Sequence, residues 1–388
     1  MSLLFDSLFS SIALSHFMVD VFNSGRPVLL TYLGLTETQI ALISTIYIWA
    51  SALTQPFFGW LSDRVGPRWL AAGGVLWMTI FFSGAVYVPG TGGLICLIVA
   101  GLGSSSFHPV GTTQAILQGR SILAGRETTA ASLFFTAGQI GHFIGPVVAG
   151  LILARLGLPW LLILSIVSVP VAFSIAYQLR HNHPHPKPTQ GTGRIRLQAG
   201  IGFIVLLATV ATLQSWSQTN MISFFPKYLK DMGFSAATYG NIAGLFMGGS
   251  ALGNVLGGYL GDRFSKGKVA ATALLLAAVP IYVMSQVGWT PWLYLLVPLA
   301  GGFTGAVHSI MVVLAQRMIS GGMALASGLI LGFIFSSGAL GTLLTGPIAE
   351  TYGFPTVLLM TAGLVLVASP LAWMLREQSI TALEPVPA

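Results

Sequence analysis

Long apolar stretches follow one another along almost the whole chain, each separated from the next by a short polar segment. Most of them reach the roughly 18 residues that an α-helix needs to cross a bilayer. They lack the short alternating pattern of membrane β-barrel strands. We therefore predict an all-α fold with twelve membrane-spanning helices, at residues 8–30, 37–61, 69–88, 92–117, 128–154, 158–179, 198–226, 236–260, 268–288, 291–318, 323–349 and 354–375.

The amino-acid composition agrees with a membrane location. Hydrophobic residues make up 54% of the 388 residues and charged residues only 7%, whereas soluble domains contain about 25% charged residues. The formal net charge of +7 is no sign of nucleic-acid binding, because most lysines and arginines lie in short loops. The single cysteine, Cys96, excludes a disulfide within the chain. We predict an integral membrane protein without a nucleic-acid partner.

The distribution of lysine and arginine predicts the orientation in the membrane. Basic residues cluster in the loops after spans 2, 4, 6, 8 and 10 and in the C-terminal tail, whereas the loops on the other side hold Arg155, Lys227 and Lys230. Short cytoplasmic loops are enriched in such residues, so both termini are expected in the cytoplasm. The first span lacks a small-residue cleavage pattern, and we expect it to be retained rather than removed as a signal peptide.

A proline- and glycine-rich segment, residues 180–197, divides the chain into two parts of similar length. Its composition does not continue a helix, so we predict a cytoplasmic linker between six-helix bundles at residues 1–179 and 198–388. His181, His183 and His185 alternate within this linker. Weak binding of a divalent metal is one interpretation, but a second group of ligands is missing. We favour a solvated tether and expect neither a metal nor a cofactor.

The two halves of the chain repeat each other. A shift of 199 residues aligns glycines, prolines and an Asp-Arg pair, and a shift of 200 aligns His108 with His308. Two such halves, related by an axis along the membrane normal and with a site between them at the midplane, are the plan of many secondary transporters. The pairs at a shift of 199 are Pro27/Pro226, Gly34/Gly233, Gly59/Gly258, Asp63/Asp262 and Arg64/Arg263.

The first span carries polar residues where a membrane helix should have almost none. His16, Asp20 and Asn23 fall on one stripe of the helix, and Arg26 follows one turn later. A charged side chain at the bilayer centre costs about 2.5–3.5 kcal/mol on insertion scales, and such residues usually mark transport or proton pathways. A purely structural hydrogen bond between helices is the alternative.

Further polar residues lie in spans 4, 5, 7 and 10. In span 4, Pro109 is expected to kink the helix beside His108, because it lacks a backbone donor. We predict that these residues face a cavity, although a single histidine in a helical bundle is often only a structural hydrogen-bonding group. The candidate cavity residues, besides Asn23 and Arg26, are Ser105, Gln139, His142, Gln214, Gln218, Asn220 and His308.

Two loops at matching positions carry the same motif, Gly-x-Leu-x-Asp-Arg, in residues 59–68 and 258–268. The motif resembles the signature of the major facilitator superfamily. That resemblance implies a transporter fold of two pseudo-symmetric six-helix bundles, in which spans 1, 4, 7 and 10 line a central cavity. The residues concerned are Gly59, Asp63, Arg64, Gly258, Asp262 and Arg263.

We expect the aspartates of the repeated motif to form a conformational latch. Each can be stabilised by the positive N-terminal end of a helix in the other half, near Gly322 for Asp63 and near Thr128 for Asp262. Such contacts would close the cytoplasmic side and break when it opens. The alternative is that these charges are ordinary turn residues and topology signals.

The latch hypothesis predicts that Asp63→Asn and Asp262→Asn weaken the outward-open state with little effect on folding, because the carboxylate loses its charge but keeps its size. Accessibility reporters on the cytoplasmic side should then react more strongly than in the unmodified protein. If both variants distribute between the two states like the parent, the latch hypothesis is wrong.

A narrower resemblance involves three short segments, residues 15–20, 55–59 and 103–109. In this order they resemble the fosmidomycin resistance family of bacterial efflux transporters, which implies an inner-membrane location. The sequence departs from the family pattern at several positions, including Val19, where an asparagine often precedes the aspartate, and the polar residues Thr136, Gln139 and His142 of span 5. Val110 follows the His-Pro pair where an acidic residue is usual, and Arg26 is an addition. The substrate and the number of coupled protons therefore do not follow from the resemblance.

Together these features predict a secondary transporter that exports a small drug-like, amphipathic or anionic molecule in exchange for protons, by alternating access. The chain has no Walker-type phosphate loop, so the energy should come from an ion gradient. We expect Asp20 to carry the coupling proton, tuned by His16 and His108, because the other acidic residues lie in loops, at helix ends or near the termini. Expected partners are the substrate, protons and membrane lipids, with the chain acting as a monomer.

Two alternatives within transport stay open, namely proton-coupled uptake of a small solute and lipid flipping, since no motif sets the direction. The rival class is a membrane-embedded enzyme. Such an enzyme needs a convergent nucleophile, base and oxyanion group or a metal cluster, whereas the sequence offers scattered histidines and one carboxylate deep in a span. We therefore predict that the protein is not an enzyme.

Overall fold

The computed structural model describes residues 2–122, 127–181, 196–197, 199–320 and 323–375. One-turn 3₁₀ helices lie at Ser2–Phe5, Leu158–Leu161 and Leu179–His181. The strands β1 (Arg196–Leu197) and β2 (Ile319–Ser320) pair antiparallel. Apart from this short ladder, the predicted all-α fold is confirmed. The helices are α1 (Ser7–Tyr32), α2 (Glu37–Ala52), α3 (Gln55–Val65), α4 (Pro67–Tyr87), α5 (Thr91–Ile122), α6 (Glu127–Arg155), α7 (Leu162–Gln178), α8 (Ile201–Asp231), α9 (Ala236–Arg263), α10 (Lys266–Val287), α11 (Leu293–Met318), α12 (Met323–Tyr352) and α13 (Phe354–Trp373).

Ten helical segments in the described part of the chain are long and apolar enough to cross a membrane. The helices α1 and α9 are not among them, although they have 26 and 28 residues and are long enough for a bilayer at about 1.5 Å per residue. Polar residues in α1 and repeated glycines in α9 lower their hydropathy. Each of the twelve predicted spans corresponds to one helix, except the second.

The second predicted span is interrupted in the structure. A single helix is predicted over residues 37–61, but α2 ends at Ala52 and α3 begins at Gln55. Pro56 has no backbone N–H, so the helical hydrogen bond to the Ala52 carbonyl cannot form. Two residues earlier, the Thr54 hydroxyl donates to the Ala50 carbonyl at 2.6 Å. The predicted span is confirmed, because residues Glu37–Val65 form one candidate membrane segment, but the proline explains why its helix is interrupted.

Two glycines mark equivalent turns of the duplicated halves. Gly34 follows α1 with φ of 79°, and Gly233 follows α8 with φ of 86°. This left-handed backbone region favours glycine, because other residues have a Cβ atom that is strained there. The two positions are 199 residues apart, so the backbone agrees with the repeat seen in the sequence.

Residue contacts divide the chain into two compact units. The first contains Met1–Thr189 and Ile222–Gly248, and the second contains Gln190–Met221 and Gly249–Ala388. This division passes through α8 and α9, whereas the boundary predicted at residues 180–197 follows from composition and the repeat. In the first unit α1 packs against α5, α6 and α7, and in the second α10 packs against α11 and α13. The buried charges of α1 lie in the first unit.

Candidate functional site

A buried carboxylate on α1 is the centre of a polar cluster in the first unit. Asp20 is only 3% exposed. Its Oδ1 accepts a hydrogen bond of 2.9 Å from the side-chain amide of Asn23, and its Oδ2 lies 3.1 Å from Nε2 of His16. These three side chains lie on one face of α1, because positions four and three residues apart come together on a helix.

Two neighbouring helices each place a histidine ring beside the Asp20 carboxylate. Nε2 of His108, on α5, lies 3.5 Å from Oδ1 of Asp20. Nε2 of His142, on α6, lies 3.5 Å from Oδ2. Three imidazole rings from three helices therefore surround one carboxylate, and the structure brings together residues that are up to 126 positions apart in the chain.

Backbone carbonyl groups determine which ring nitrogens face the carboxylate. Nδ1 of His16 lies 2.8 Å from the carbonyl oxygen of Phe134, and Nδ1 of His108 lies 2.8 Å from that of Ser104. A carbonyl oxygen only accepts, so each Nδ1 donates its hydrogen. The Phe134 ring also stacks on His16, with centroids 4.0 Å apart. Nε2 of each ring therefore points at Asp20, where a neutral ring accepts a proton from the carboxyl group and a protonated ring donates to the carboxylate.

Asn23 connects the carboxylate to two side chains that the sequence analysis does not predict. Its amide donates to the Ser104 hydroxyl at 3.1 Å as well as to Asp20. The Tyr47 hydroxyl on α2 donates to the Asn23 carbonyl oxygen at 2.6 Å. Ser104 lies one helical turn before His108, a spacing visible in the sequence. No sequence signal identifies Tyr47, because its contact depends on the packing of α2 against α1 and α5.

Arg26 is a second buried charge on α1. It is 5% exposed, and its guanidinium carbon lies 4.3 Å from the centroid of the Tyr47 ring, in a cation–π contact. Its Nε atom has no hydrogen-bond partner within the described part of the protein. Among the described residues no carboxylate forms an ion pair with Arg26. The site therefore contains an arginine with an aromatic neighbour and no acidic partner there.

Close contact between α1 and α6 positions the cluster. A Cβ atom added at Gly138 would lie 2.5 Å from Oδ2 of Asp20, and one at Gly141 would overlap the backbone carbonyl of Phe17. A Cβ atom at Gly145 would overlap the hydroxyl of Ser24. These three glycines give α6 a groove into which α1 fits. Small residues allow helix backbones to approach closely in membranes, and here they bring α6 against the polar face of α1.

The second unit has a related close contact between α8 and α12, lined by neutral side chains. A Cβ atom added at Gly338 on α12 would overlap the hydroxyl of Ser215 and lie 2.8 Å from that of Thr219. Gly338 aligns with Gly138 at a shift of 200, and Ser215 and Thr219 align with His16 and Asp20 at a shift of 199. The halves thus share a packing scheme, but the titratable cluster is built from residues of the first half.

The polar residues predicted in spans 7 and 10 contact other residues of the second unit. Gln214 donates to the Thr304 carbonyl at 3.0 Å, and Gln218 donates to the Ser250 hydroxyl at 2.9 Å. Asn220 is bonded to both Thr361 and Thr342, each at 3.3 Å. The His308 ring stacks near Phe335, with centroids 5.8 Å apart. These contacts tie helices together, and a role in substrate binding stays a prediction.

Two predicted cavity residues of the first unit lie apart from the carboxylate. Ser105 is buried, and its hydroxyl is 2.7 Å from that of Thr54, towards the break between α2 and α3. Gln139 is half-buried on α6 directly after Gly138. Of the candidates on α5 and α6, only His108 and His142 contact Asp20.

The repeated loop motifs adopt similar local structures in the two units. Asp63 is exposed, and the Arg64 guanidinium lies over the ring of Trp60 at 3.9 Å. In the second unit, the Asp262 side chain is 80% exposed, and the guanidinium of Arg263 lies over Tyr259 at 4.5 Å. Asp262 also forms an ion pair with Lys266 at 3.7 Å, whereas no ion pair of Asp63 is seen among the described residues. Gly322, the expected helix end for Asp63, lies outside the described residues, as do His183 and His185 of the linker.

Comparison with protein families identifies the fold. The family model of the Major Facilitator Superfamily matches residues 8–206 and, a second time, residues 207–387. The chain belongs to the Major Facilitator Superfamily. The double match agrees with the repeat in the sequence, and the resemblance of the two loop motifs to the superfamily signature is confirmed. As a member of the superfamily, the chain is a multi-pass membrane transporter for a small molecule and not an enzyme.

Several relatives of this Major Facilitator Superfamily member are named for drug resistance. The chain is 28% identical over 360 residues to the fosmidomycin resistance protein of Escherichia coli (strain K12), covering 88% of this chain and 86% of the relative. It is 25% identical to the uncharacterized MFS-type transporter YfnC of Bacillus subtilis (strain 168), covering 86% and 83%. A putative multidrug resistance protein MdtD of Serratia proteamaculans (strain 568) is 27% identical, over 62% of this chain and 45% of that protein.

Solved structures show the same superfamily fold. A bacterial homologue of the human lysosomal transporter Spinster, in an inward-facing and occupied conformation, matches with a TM-score of 0.76 at 14% identity and covers 97% of this chain and 98% of its own. A mutant of the nucleoside transporter NupG matches with a TM-score of 0.77 at 15% identity, covering 95% and 100%. At these identities the likeness concerns the fold alone.

Proposed function

We propose that this protein is a secondary transporter that exports a small anionic or amphipathic molecule in exchange for protons, by alternating access. The observation that carries the proposal is the buried Asp20 carboxylate with three histidine rings within 3.5 Å. Buried ionisable groups in membrane helices mark ion and proton pathways. Relatives named for drug resistance support export rather than uptake.

The cluster supplies the parts that proton coupling requires. The Asp20 carboxylate can take up one proton, and protonation removes a buried charge. The Nε2 atoms of His16, His108 and His142 lie within 3.5 Å of the carboxylate, so a proton can pass between these groups at short range. A proton and a substrate that favour different states of the site compete through the conformational equilibrium, which is the coupling that exchange needs.

The position of Arg26 is the reason for proposing that the substrate carries an anionic group. It lies two turns from Asp20 on the same helix, is 5% exposed, and has no ion pair with the described residues. Burying an unpaired charge is costly, so an incoming anion would be stabilised there. Tyr47 holds the guanidinium by a cation–π contact, which leaves its donor nitrogens for a ligand. We infer a carboxylate, phosphonate or comparable anion as the group that Arg26 binds.

The remaining expectations belong to the same proposal. Both termini face the cytoplasm of a bacterial cell, the chain resides in the inner membrane as a monomer, and the Asp63 and Asp262 loops act as a latch. The lysine and arginine bias of the loops supports the orientation. The matching conformations of Arg64 and Arg263 support a common role for the two loops.

Purified protein in liposomes provides the test. We expect substrate-dependent proton movement when fosmidomycin, the antibiotic named in the E. coli relative, or another anionic drug is added across an imposed pH gradient. Arg26→Gln should raise the half-saturating concentration of anionic substrates by about 10- to 100-fold, because a hydrogen bond to a charged group contributes about 1.5–3 kcal/mol. Arg26→Lys keeps the charge and should lose less.

The outcomes separate the parts of the proposal. Transport of the drug without any proton movement would contradict exchange with protons. Equal half-saturating concentrations for the parent protein and Arg26→Gln would contradict the anion site. Neutral substrates serve as the internal control, since their transport should not distinguish the two proteins.

A further inference from the structure

The donor atoms around Asp20 have the spacing of a metal site. One ligand atom each from His16, Asp20 and His108 lie within 4.8 Å of one another. With metal–nitrogen bonds of 2.0–2.1 Å, neighbouring ligands of tetrahedral zinc are about 3.3 Å apart. The distances from Asp20 to His16, 3.1 Å, and to His108, 3.5 Å, bracket this value. Small side-chain movements would therefore place all three donors on one cation.

The hydrogen bonds of the two rings are those of metal-binding histidines. A ligating histidine usually donates its other ring N–H to a carbonyl or carboxylate, which fixes the tautomer and the ring orientation. His16 and His108 do so with the carbonyls of Phe134 and Ser104, each at 2.8 Å. Nε2 of both rings thus faces one carboxylate. When the rings are neutral, a cation among these three groups binds both Nε2 atoms and the carboxylate at once.

His142 lies outside this group of three donors but contacts Asp20 on the more exposed side of the cluster. Its Nε2 is 3.5 Å from Asp20, and its Nδ1 is buried without a hydrogen-bond partner in the described structure. The side chains of His142 and His108 are 27% and 22% exposed, whereas those of His16 and Asp20 are each 4% exposed. A cation can therefore reach the site from the side of the two more exposed rings.

We propose that His16, Asp20 and His108, with His142 beside them, form a binding site for one divalent transition-metal cation of the zinc class. Imidazole-rich sites favour zinc, cobalt, nickel and copper, whereas magnesium and calcium prefer oxygen ligands. A cation at this position excludes the proton from Asp20, so zinc should inhibit proton-driven transport. That inhibition rests on the proposed function, whereas binding of the metal does not.

Protons compete with the cation, because ligating imidazole and carboxylate groups must be deprotonated. The titratable and charged groups that face the site are His16, Asp20 and Arg26 on α1, His108 on α5 and His142 on α6, together with Tyr47 on α2 through Asn23. Metal affinity should therefore increase as the pH rises. Metal binding at constant pH should release protons.

The test uses Co²⁺ as a spectroscopic substitute for Zn²⁺ on full-length protein in detergent without a histidine tag. Four-coordinate Co²⁺ gives strong visible absorption bands, which the hydrated ion lacks. We expect these bands at one equivalent of Co²⁺ and their loss when Zn²⁺ displaces it. His108→Gln and Asp20→Asn should weaken binding by at least about 100-fold, since even outer-shell partners contribute 10–100-fold. His142→Gln is an independent variant, and size-exclusion profiles show which variants fold.

Two matched controls test the location. Replacing His181, His183 and His185 by alanine removes the alternating histidines of the linker, and His308→Gln changes the histidine that corresponds to His108 in the second half. Both controls should keep the Co²⁺ spectrum. Absence of the bands in the parent protein, or their loss with the linker histidines, would overturn the proposal.

The same proteins distinguish this inference from proton coupling. If the parent binds no Co²⁺ but couples transport to protons through Asp20, the metal site is wrong and the proposed function stands. If Co²⁺ binds at the cluster but transport moves no protons, the metal site stands and the coupling mechanism is wrong. If Zn²⁺ binds without slowing proton-driven transport, the competition with the coupling proton is refuted.

Discussion

Asp20→Asn is expected to abolish transport driven by a pH gradient, down to the level of liposomes without protein. The substitution keeps the size of the side chain and its bond to Asn23, but it removes the group that takes up and releases the proton. Substrate binding and substrate counterflow, which need no net proton movement, should remain. Counterflow of the variant should also lose the pH dependence that the parent shows, because an amide does not titrate in this range.

The measurement compares uptake of labelled substrate with and without a pH gradient, followed by counterflow at several pH values. Asp231→Asn is the matched control, because Asp231 is an exposed carboxylate at the end of α8 that pairs with Lys227. It should transport like the parent. Full gradient-driven transport by Asp20→Asn would refute the assignment and would move the proton site to the histidines.

Gly141→Ala is expected to destabilise the protein and to reduce transport as well. The new methyl group would overlap the carbonyl oxygen of Phe17 and would lie 3.2 Å from the Cβ atom of Asp20. The obstacle is helix backbone rather than a flexible side-chain end, so α1 and α6 must separate. Overpacking of this kind typically costs about 1–3 kcal/mol. The same separation would move His142 away from the carboxylate.

Thermal unfolding in detergent and transport activity give the two readouts. Gly73→Ala is the control, because a Cβ atom at Gly73 on α4 has nothing within 4 Å. It should be neutral or stabilising by up to about 1 kcal/mol, as expected for replacing glycine in a helix. If Gly141→Ala unfolds at the same temperature as Gly73→Ala, the close contact between α1 and α6 is not what positions the cluster.

The sequence predicts most of the fold, because its strongest signals are local. A membrane helix satisfies its own backbone hydrogen bonds within one continuous segment, so apolar length alone locates the spans. The repeat is visible because the glycines of tight turns, such as Gly34 and Gly233, occupy equivalent positions in both halves. The break between α2 and α3 is less predictable, since proline is found both within membrane helices and at their ends. Here Pro109 lies within α5, whereas Pro56 lies beside a break.

The candidate site was only partly predictable from the sequence. Helical spacing places His16, Asp20 and Asn23 on one face of α1, and this follows from the sequence alone. The partners from other helices do not, since His108 and His142 are separated from Asp20 by 88 and 122 residues. Because they are polar residues in apolar spans, Gln214 and Asn220 were predicted to line the cavity like Asn23. In the structure they form hydrogen bonds with Thr304 and Thr361 of the second unit. Tyr47 and Ser104 were missed, because their roles depend on contacts with Asn23.

The sequence by itself determined that the chain is a duplicated, twelve-span membrane protein with one deeply placed carboxylate. Hydrophobicity, turn glycines and loop charge are properties of short segments, and the chain carries them before it folds. Only the tertiary structure decided that three histidines share that carboxylate and that Arg26 has an aromatic neighbour instead of an acidic partner among the described residues. The reason is that the small residues of α6 set the distance between helices, and this distance decides which distant side chains come into contact.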